Sequence, residues 1–191
     1  MGLFMNDGEL IRIVDAALAE AARKSGQWLA CRPGCAQCCI GAFAISTADA
    51  GRLQRGLAAL AASDPNRAAR VWQRARESVK RTVEDFPGDP ATGILDEGGD
   101  AEARFDEFAN EEPCPALDPD SLTCDLYLSR PLTCRTFGPA IKVGPGAIAA
   151  CELCYAGATE EEVEACAVDL DVQALDPGED GERTTVAFAL R

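Results

Sequence analysis

Cys31, Cys35, Cys38 and Cys39 spell C-x3-C-x2-C-C within nine residues, in a chain that carries ten cysteines and no histidine. Thiolates are the soft ligands of zinc, copper(I) and iron–sulfur centres, and a tight turn presents two of them to one ion when they lie two or three residues apart. With no histidine, serine–histidine triads, cysteine–histidine nucleophile pairs and imidazole ligands are excluded. Sulfur and carboxylate chemistry remains.

A second cysteine region supplies Cys114, Cys124, Cys134, Cys151 and Cys154, the last two repeating the C-x2-C spacing of Cys35 and Cys38. The two stretches must meet in space if they share a site. Adjacent Cys38 and Cys39 complicate a one-ion picture: neighbouring side chains usually diverge, so one of them is expected to serve a second metal or to stay unligated. Cys166 falls on the apolar face of its helix and reads as a buried, inert thiol. The triplet Cys31, Cys35 and Cys38 also matches the one with which radical S-adenosylmethionine enzymes hold a four-iron cluster. Those enzymes are long barrels with the triplet after an early strand, whereas here a helix precedes it.

A disulfide framework is the structural alternative. The segment Met1–Glu9 has neither a basic nor an apolar leader region, so a reducing cytoplasm is expected, where closely spaced cysteines are more often metal or redox groups. The net charge of −14 argues against nucleic acid and anionic membrane as partners. No run approaches the ~20 apolar residues of a membrane span. Gly144-x-Gly146-x-x-Ala149 reads as a hairpin turn rather than a dinucleotide loop. The acids of Asp118–Asp125 and Asp176–Glu182 lack the glycine and terminal glutamate of a calcium loop.

The elements that must position these thiols are mostly helical. Residues 1–30 hold a first helix capped by Asn6 or Asp7, with Leu10, Ile13, Val14, Ala17, Leu18 and Ala21 in helical rhythm. The first cysteine cluster occupies 31–45, broken by Pro33, Gly34 and Gly41. Residues 46–86 form a helical insertion. Ser46-Thr47-x-Asp49 caps one helix, weakened by Gly51 and Gly56, and Ser63 or Asp64 followed by Pro65 opens another, whose Arg67, Arg70, Arg74 and Arg81 read as a solvated face. Residues 87–99 read as a loop. Residues 100–170 hold the second cysteine region with short strands near Thr123–Leu128 and Ile141–Val143, a helical turn carrying Cys134 and Arg135, and a last helix opened by the capping box Thr159-x-x-Glu162. Residues 171–191 read as an acidic tail with a candidate edge strand over Thr184–Leu190. Leu, Ile, Val and Phe number 40, roughly a fifth of the chain, against 34 alanines, so the core is thin and cross-linking through cysteine would compensate for it. The fold class expected is mainly α, a single domain over 1–191 with a small irregular cysteine-rich α+β core organised around metal.

In order along the chain, Cys31-x3-Cys35-x2-Cys38-Cys39, Pro113-Cys114-Pro115-Ala116-Leu117, Cys124-Asp125-Leu126-Tyr127, Arg130-Pro131-x-x-Cys134-Arg135-x-Phe137 and Cys151 resemble the zinc- or iron-chelating cysteine-cluster domain often called the YkgJ type. The resemblance covers most of residues 31–155. It implies an eight-cysteine metal site of Cys31, Cys35, Cys38, Cys39, Cys114, Cys124, Cys134 and Cys151. Cys154 is a candidate extra ligand, and a longer segment between Cys39 and Cys114 is a further departure from compact members. Arg130 and Arg135 are expected to offset thiolate charge.

Eight thiolates can make two four-sulfur sites or one polynuclear cluster. The cofactor expected is iron, with an iron–sulfur centre favoured by the triplet spacing, or zinc. The leading expectation is a cytoplasmic metal-binding protein whose partner is the metal ion or cluster. Similar domains occur in flagellin lysine methylases. One alternative is therefore an iron–sulfur enzyme modifying a protein or peptide, with that protein as partner. Another is a metal-storage or thiol-redox protein.

Overall fold

Helix α1 (Asp7–Ser25) starts where the Asn6 side chain accepts the Glu9 N–H, and it stops at Gly26, whose φ of 50° leaves the helical region. Ser46 caps α2 (Thr47–Ser63) as the sequence signals predict, and of the two candidates Ser63 and Asp64 it is Asp64 that caps α3 (Pro65–Thr82). Helix α2 runs unbroken through Gly51 and Gly56. A Cβ at Gly56 would lie 2.2 Å from Ser129 Oγ, so this glycine costs helix propensity but lets the 127–129 turn sit against the helix. Short helices follow along the chain at α4 (Ala101–Glu107), α5 (Leu132–Thr136) and α6 (Glu160–Cys166), the last of these opened by the Thr159–Glu162 capping box. In this computed structural model, residues 6–144, 146–170 and 181–191 are described, and the fold is mainly α with small strands.

The strands are two to four residues long. β1 (Ala44–Ser46) pairs antiparallel with β9 (Arg183–Thr185), β2 (Gly88–Asp89) with β3 (Ile94–Leu95), and β4 (Leu117–Asp118) with β5 (Thr123–Cys124). β6 (Ile141–Gly144) lies between antiparallel β7 (Ala147–Ala149) and parallel β8 (Val168–Asp169). The expected loop over 87–99 thus contains a hairpin. The strand expected over Thr184–Leu190 is corrected: it ends at Thr185, whose side chain caps helix α7 (Val186–Leu190). Val186, Ala187, Phe188 and Leu190 are all buried, a pattern that a two-sided helix satisfies and an edge strand with one wet face does not. Most of the acidic segment, residues 171–180, lies outside the described residues.

The chain divides into two compact units, one of residues 1–35 and 132–179, the other of residues 36–131 and 180–191. In the first, α1 buries Leu10, Val14, Leu18 and Ala21 against Leu132, Ile141, Val168 and Leu170, and a smaller cluster gathers Ala140, Cys154, Tyr155, Cys166 and Ala167. In the second, Ile45, Leu53, Leu57, Val71 and Leu190 centre the packing of α2, α3 and α7. Beside them Phe86 stacks on Phe188, ring centroids 4.1 Å apart, and meets Phe108 edge-on at 5.7 Å.

Candidate metal centres

In the first unit, Cys35 closes a turn by donating its N–H to Arg32 O at 2.9 Å. The other arm is pinned at several points. Cys151 N–H donates to Gly138 O (3.1 Å), Cys154 N–H to Cys151 O (2.8 Å) and Tyr155 N–H to Trp28 O (2.8 Å). The Tyr155 hydroxyl joins Ser25 Oγ at 2.5 Å and accepts the Ala140 N–H at 2.9 Å. These bonds carry residues 151–155 to the segment just before Cys31, where Ala30 N–H donates to Cys154 Sγ at 3.4 Å. Cys31 is exposed as a residue, yet its sulfur lies against Gly138 and hydrogen-bonds to Cys154. The sulfur's surroundings set its acidity: burial, then Cys154, with Cys35 and Cys151 adding charge repulsion, push the thiol up to about 12.

In the second unit the assembly runs through backbone. Ile40 forms an isolated antiparallel bridge with Pro113, flanked by Gly41 N–H to Glu112 O (2.9 Å) and Cys114 N–H to Cys39 O (2.7 Å). The β4–β5 hairpin then returns Cys124 opposite Leu117, and Asp125 N–H donates to Ala116 O at 2.7 Å. Cys38 and Cys39 sit on one 3-10 turn, Gln37–Cys39, and their sulfurs hydrogen-bond to each other. Their thiols therefore meet rather than diverge. Cys39 as donor pulls the Cys38 thiol down to about 6, helped by a backbone hydrogen bond and by Arg130. The same bond, burial, and the neighbouring Cys38, Cys114 and Cys124 hold Cys39 far above the ordinary range. Burial also pushes Cys114 up to about 12 and raises Cys124.

The eight cysteines of the sequence pattern thus fall four to a unit: Cys31, Cys35, Cys134 and Cys151 in the first, Cys38, Cys39, Cys114 and Cys124 in the second. The nine-residue cluster is divided between Cys35 and Cys38. Cys134 rides half-buried on α5, Cys154 is buried, and Cys166 is buried with its thiol donating to Lys24 O at 3.4 Å. Arg130 stacks on Tyr127 at 3.7 Å and acts electrostatically on Cys38 and Cys124, while Arg135, with only 3% of its side chain exposed, pairs with Asp15 at 2.5 Å. Among the described residues no three cysteine or carboxylate side chains stand at metal-holding geometry.

The arginine face of α3 is not simply solvated. Arg67, Arg74 and Arg81, seven residues apart, pair with acids that flank the second unit's cysteines. Arg67 and Arg74 (2.5 Å) both hold Asp125, whose side chain is 0% exposed, and Arg81 holds Glu112 at 2.5 Å. Arg74 also donates to Pro115 O at 2.8 Å. The spacing of these arginines and the acids beside Cys114 and Cys124 were the available signals. Tyr155 and Gly138 left no sequence signal.

Each unit gathers four cysteines of the sequence pattern, and in the first a Cβ at Gly138 would lie 2.8 Å from Cys31 Sγ, so the backbone leaves room at the sulfur that a side chain would take. Such all-sulfur donor sets suit zinc and iron and do not suit magnesium or calcium. By fold and composition this is a small, mainly helical, cysteine-rich protein. The chain belongs to the CxxCxxCC family, described as "Putative zinc- or iron-chelating domain", whose pattern matches residues 30–167. No curated protein and no solved structure matches the chain. Among the described residues no helix is long and apolar enough to cross a membrane.

Proposed function

We propose that the chain binds zinc or iron at two separate thiolate centres, one in each unit. The observation that carries this reading is the grouping of thiols: Cys31 with Cys154, Cys35 and Cys151, and Cys39 with Cys38, Cys114 and Cys124. Each group spans both cysteine regions of the chain, so binding an ion ties distant segments together, and in small metal domains that binding energy is folding energy. A four-thiolate set closes a tetrahedral zinc site and equally ligates an iron–sulfur cluster.

The test is anaerobic purification followed by metal analysis and absorption spectroscopy. Two zinc ions per chain, or iron with sulfide in cluster proportions at both centres, supports the proposal. A single shared ion or cluster, or a chain that takes up neither metal, refutes it. The hydrogen-bonded Cys38–Cys39 pair gives a thiol-redox reading its one specific support. That reading requires the metal-free protein to stay folded, which chelation followed by circular dichroism decides.

A further inference from the structure

We infer that Cys154, which lies outside the eight-cysteine pattern, is a metal ligand of the first unit and completes a centre with Cys31, Cys35 and Cys151. This rests on the two-centre reading above and deepens it. Three observations converge. Cys154 is the thiol that touches Cys31, through a sulfur–sulfur hydrogen bond. Its sulfur accepts the Ala30 backbone N–H at 3.4 Å, from the residue next to Cys31, which fixes the sulfur beside the other arm. The turn that presents it is also built at a cost: Tyr155, the next residue, adopts a left-handed φ of 60° that non-glycine residues rarely take. Its ring is held in return by the Ser25 hydroxyl and the Ala140 N–H, and its own N–H by Trp28 O.

The spacing agrees with the geometry. Cys151-x2-Cys154 is the interval at which one turn delivers two sulfurs to one ion, and Cys154 N–H to Cys151 O at 2.8 Å closes that turn. With Cys31 and Cys35 from the other arm the set numbers four, the count a tetrahedral ion takes, and it leaves out Cys134, the unit's remaining pattern cysteine, which rides on α5. Cys166, the remaining cysteine outside the pattern, differs: it donates to the Lys24 carbonyl and serves as a packing residue.

The experiment is anaerobic cobalt(II) titration of the metal-free full-length chain, followed by thiolate-to-cobalt charge-transfer absorption. The wild type and the Cys166→Ala control should each take up two ions. Cys154→Ser should lose the first centre, with uptake falling from two ions to one, or keep it with about a quarter of that centre's charge-transfer intensity gone, one sulfur in four. Cys154→His should keep two ions and show a spectrum altered by one nitrogen ligand, which only a coordinating position would produce. This second variant decides the matter if the serine variant fails to fold. Two ions with unchanged spectra in either variant would overturn the inference while leaving the two-centre reading intact. A wild-type chain that takes up no cobalt overturns both.

Discussion

Removing the carboxylate of Asp125 should unhinge the second unit while sparing the first. Its side chain is fully enclosed and answers two guanidinium groups from α3, of which Arg74 is 21% exposed and Arg67 37%. Asp125→Ala strands the more buried Arg74 without its partner, and breaking a buried ion pair from one side costs about 3–5 kcal/mol. Arg67 is wet enough to rehydrate, so Arg67→Ala alone should cost on the order of 1 kcal/mol, the value of an exposed pair. Arg74→Ala should approach the aspartate variant, because it also removes the bond to Pro115 O. Against a stability of roughly 5–15 kcal/mol for a whole domain, Asp125→Ala removes a large share. The two tryptophans make the assay unit-specific: Trp28 packs in the first unit and Trp72 in the second. Urea unfolding of the metal-loaded protein, followed in Trp28→Phe and Trp72→Phe backgrounds, should show the Trp72 transition moving to lower urea and the Trp28 transition holding. Because Asp125 follows Cys124 directly, zinc affinity should fall at the second centre only. Equal shifts of both transitions, or an Arg67→Ala effect as large as that of Arg74→Ala, would refute this account of the clamp.

In metal-free protein near pH 7, Cys38 should be the first thiol alkylated by iodoacetamide, since its neighbour holds it at about 6. Cys39→Ala removes the hydrogen-bond donor and should slow that reaction, as peptide mapping would show. Metal-free stability of the second unit should depend on pH with two opposite limbs. Cys38 is depressed from the ordinary thiol range near 9, so its contribution is full above about 9 and is lost as pH falls through about 6. Cys39, Cys114 and Cys124 are raised, so what they contribute is present below about 9 and is lost as pH rises beyond it. The Trp72 urea midpoint should therefore climb between pH 6 and 9 and drop above. Gly138→Ala places a Cβ 2.8 Å from Cys31 Sγ at a φ of 117°, and should cost about 1–3 kcal/mol in the first unit. It should also weaken that unit's zinc binding, read by competition with a chromophoric chelator, with the second centre unaffected.

The helices were legible because their signals are local. Asn6, Ser46, Asp64 and Thr159 each accept the N–H three residues on, and that geometry needs nothing from elsewhere in the chain. The C-terminal segment misled for the opposite reason. Thr184, Thr185 and Val186 are β-branched and read as strand, but burial of Phe188 and Leu190 beside α2 and α3 favours a helix that the Thr185 cap can start.

The division of the cysteine cluster could not be read from spacing at all. C-x3-C-x2-C-C describes a distance along the chain, and on that measure Cys35 and Cys38 are the natural pair. What separates them is the destination of the backbone on either side. Residues before Cys35 take their hydrogen bonds from the 151–155 turn, more than a hundred residues later, whereas Cys39, Ile40 and Gly41 take theirs from 112–114. On the two-centre proposal the four cysteines in nine residues supply two half-sites in succession along the chain, and each is met by a segment that carries its own turn chemistry: Pro113 and the β4–β5 hairpin for one, Gly138 and Tyr155 for the other. Insertion of one residue between Cys35 and Cys38 should accordingly leave both centres able to bind, whereas a single shared site would be destroyed by it. Cobalt stoichiometry of that insertion variant separates the two architectures directly: two ions retained supports paired half-sites, and loss of all thiolate-to-cobalt absorption would show that Cys35 and Cys38 serve one ion after all.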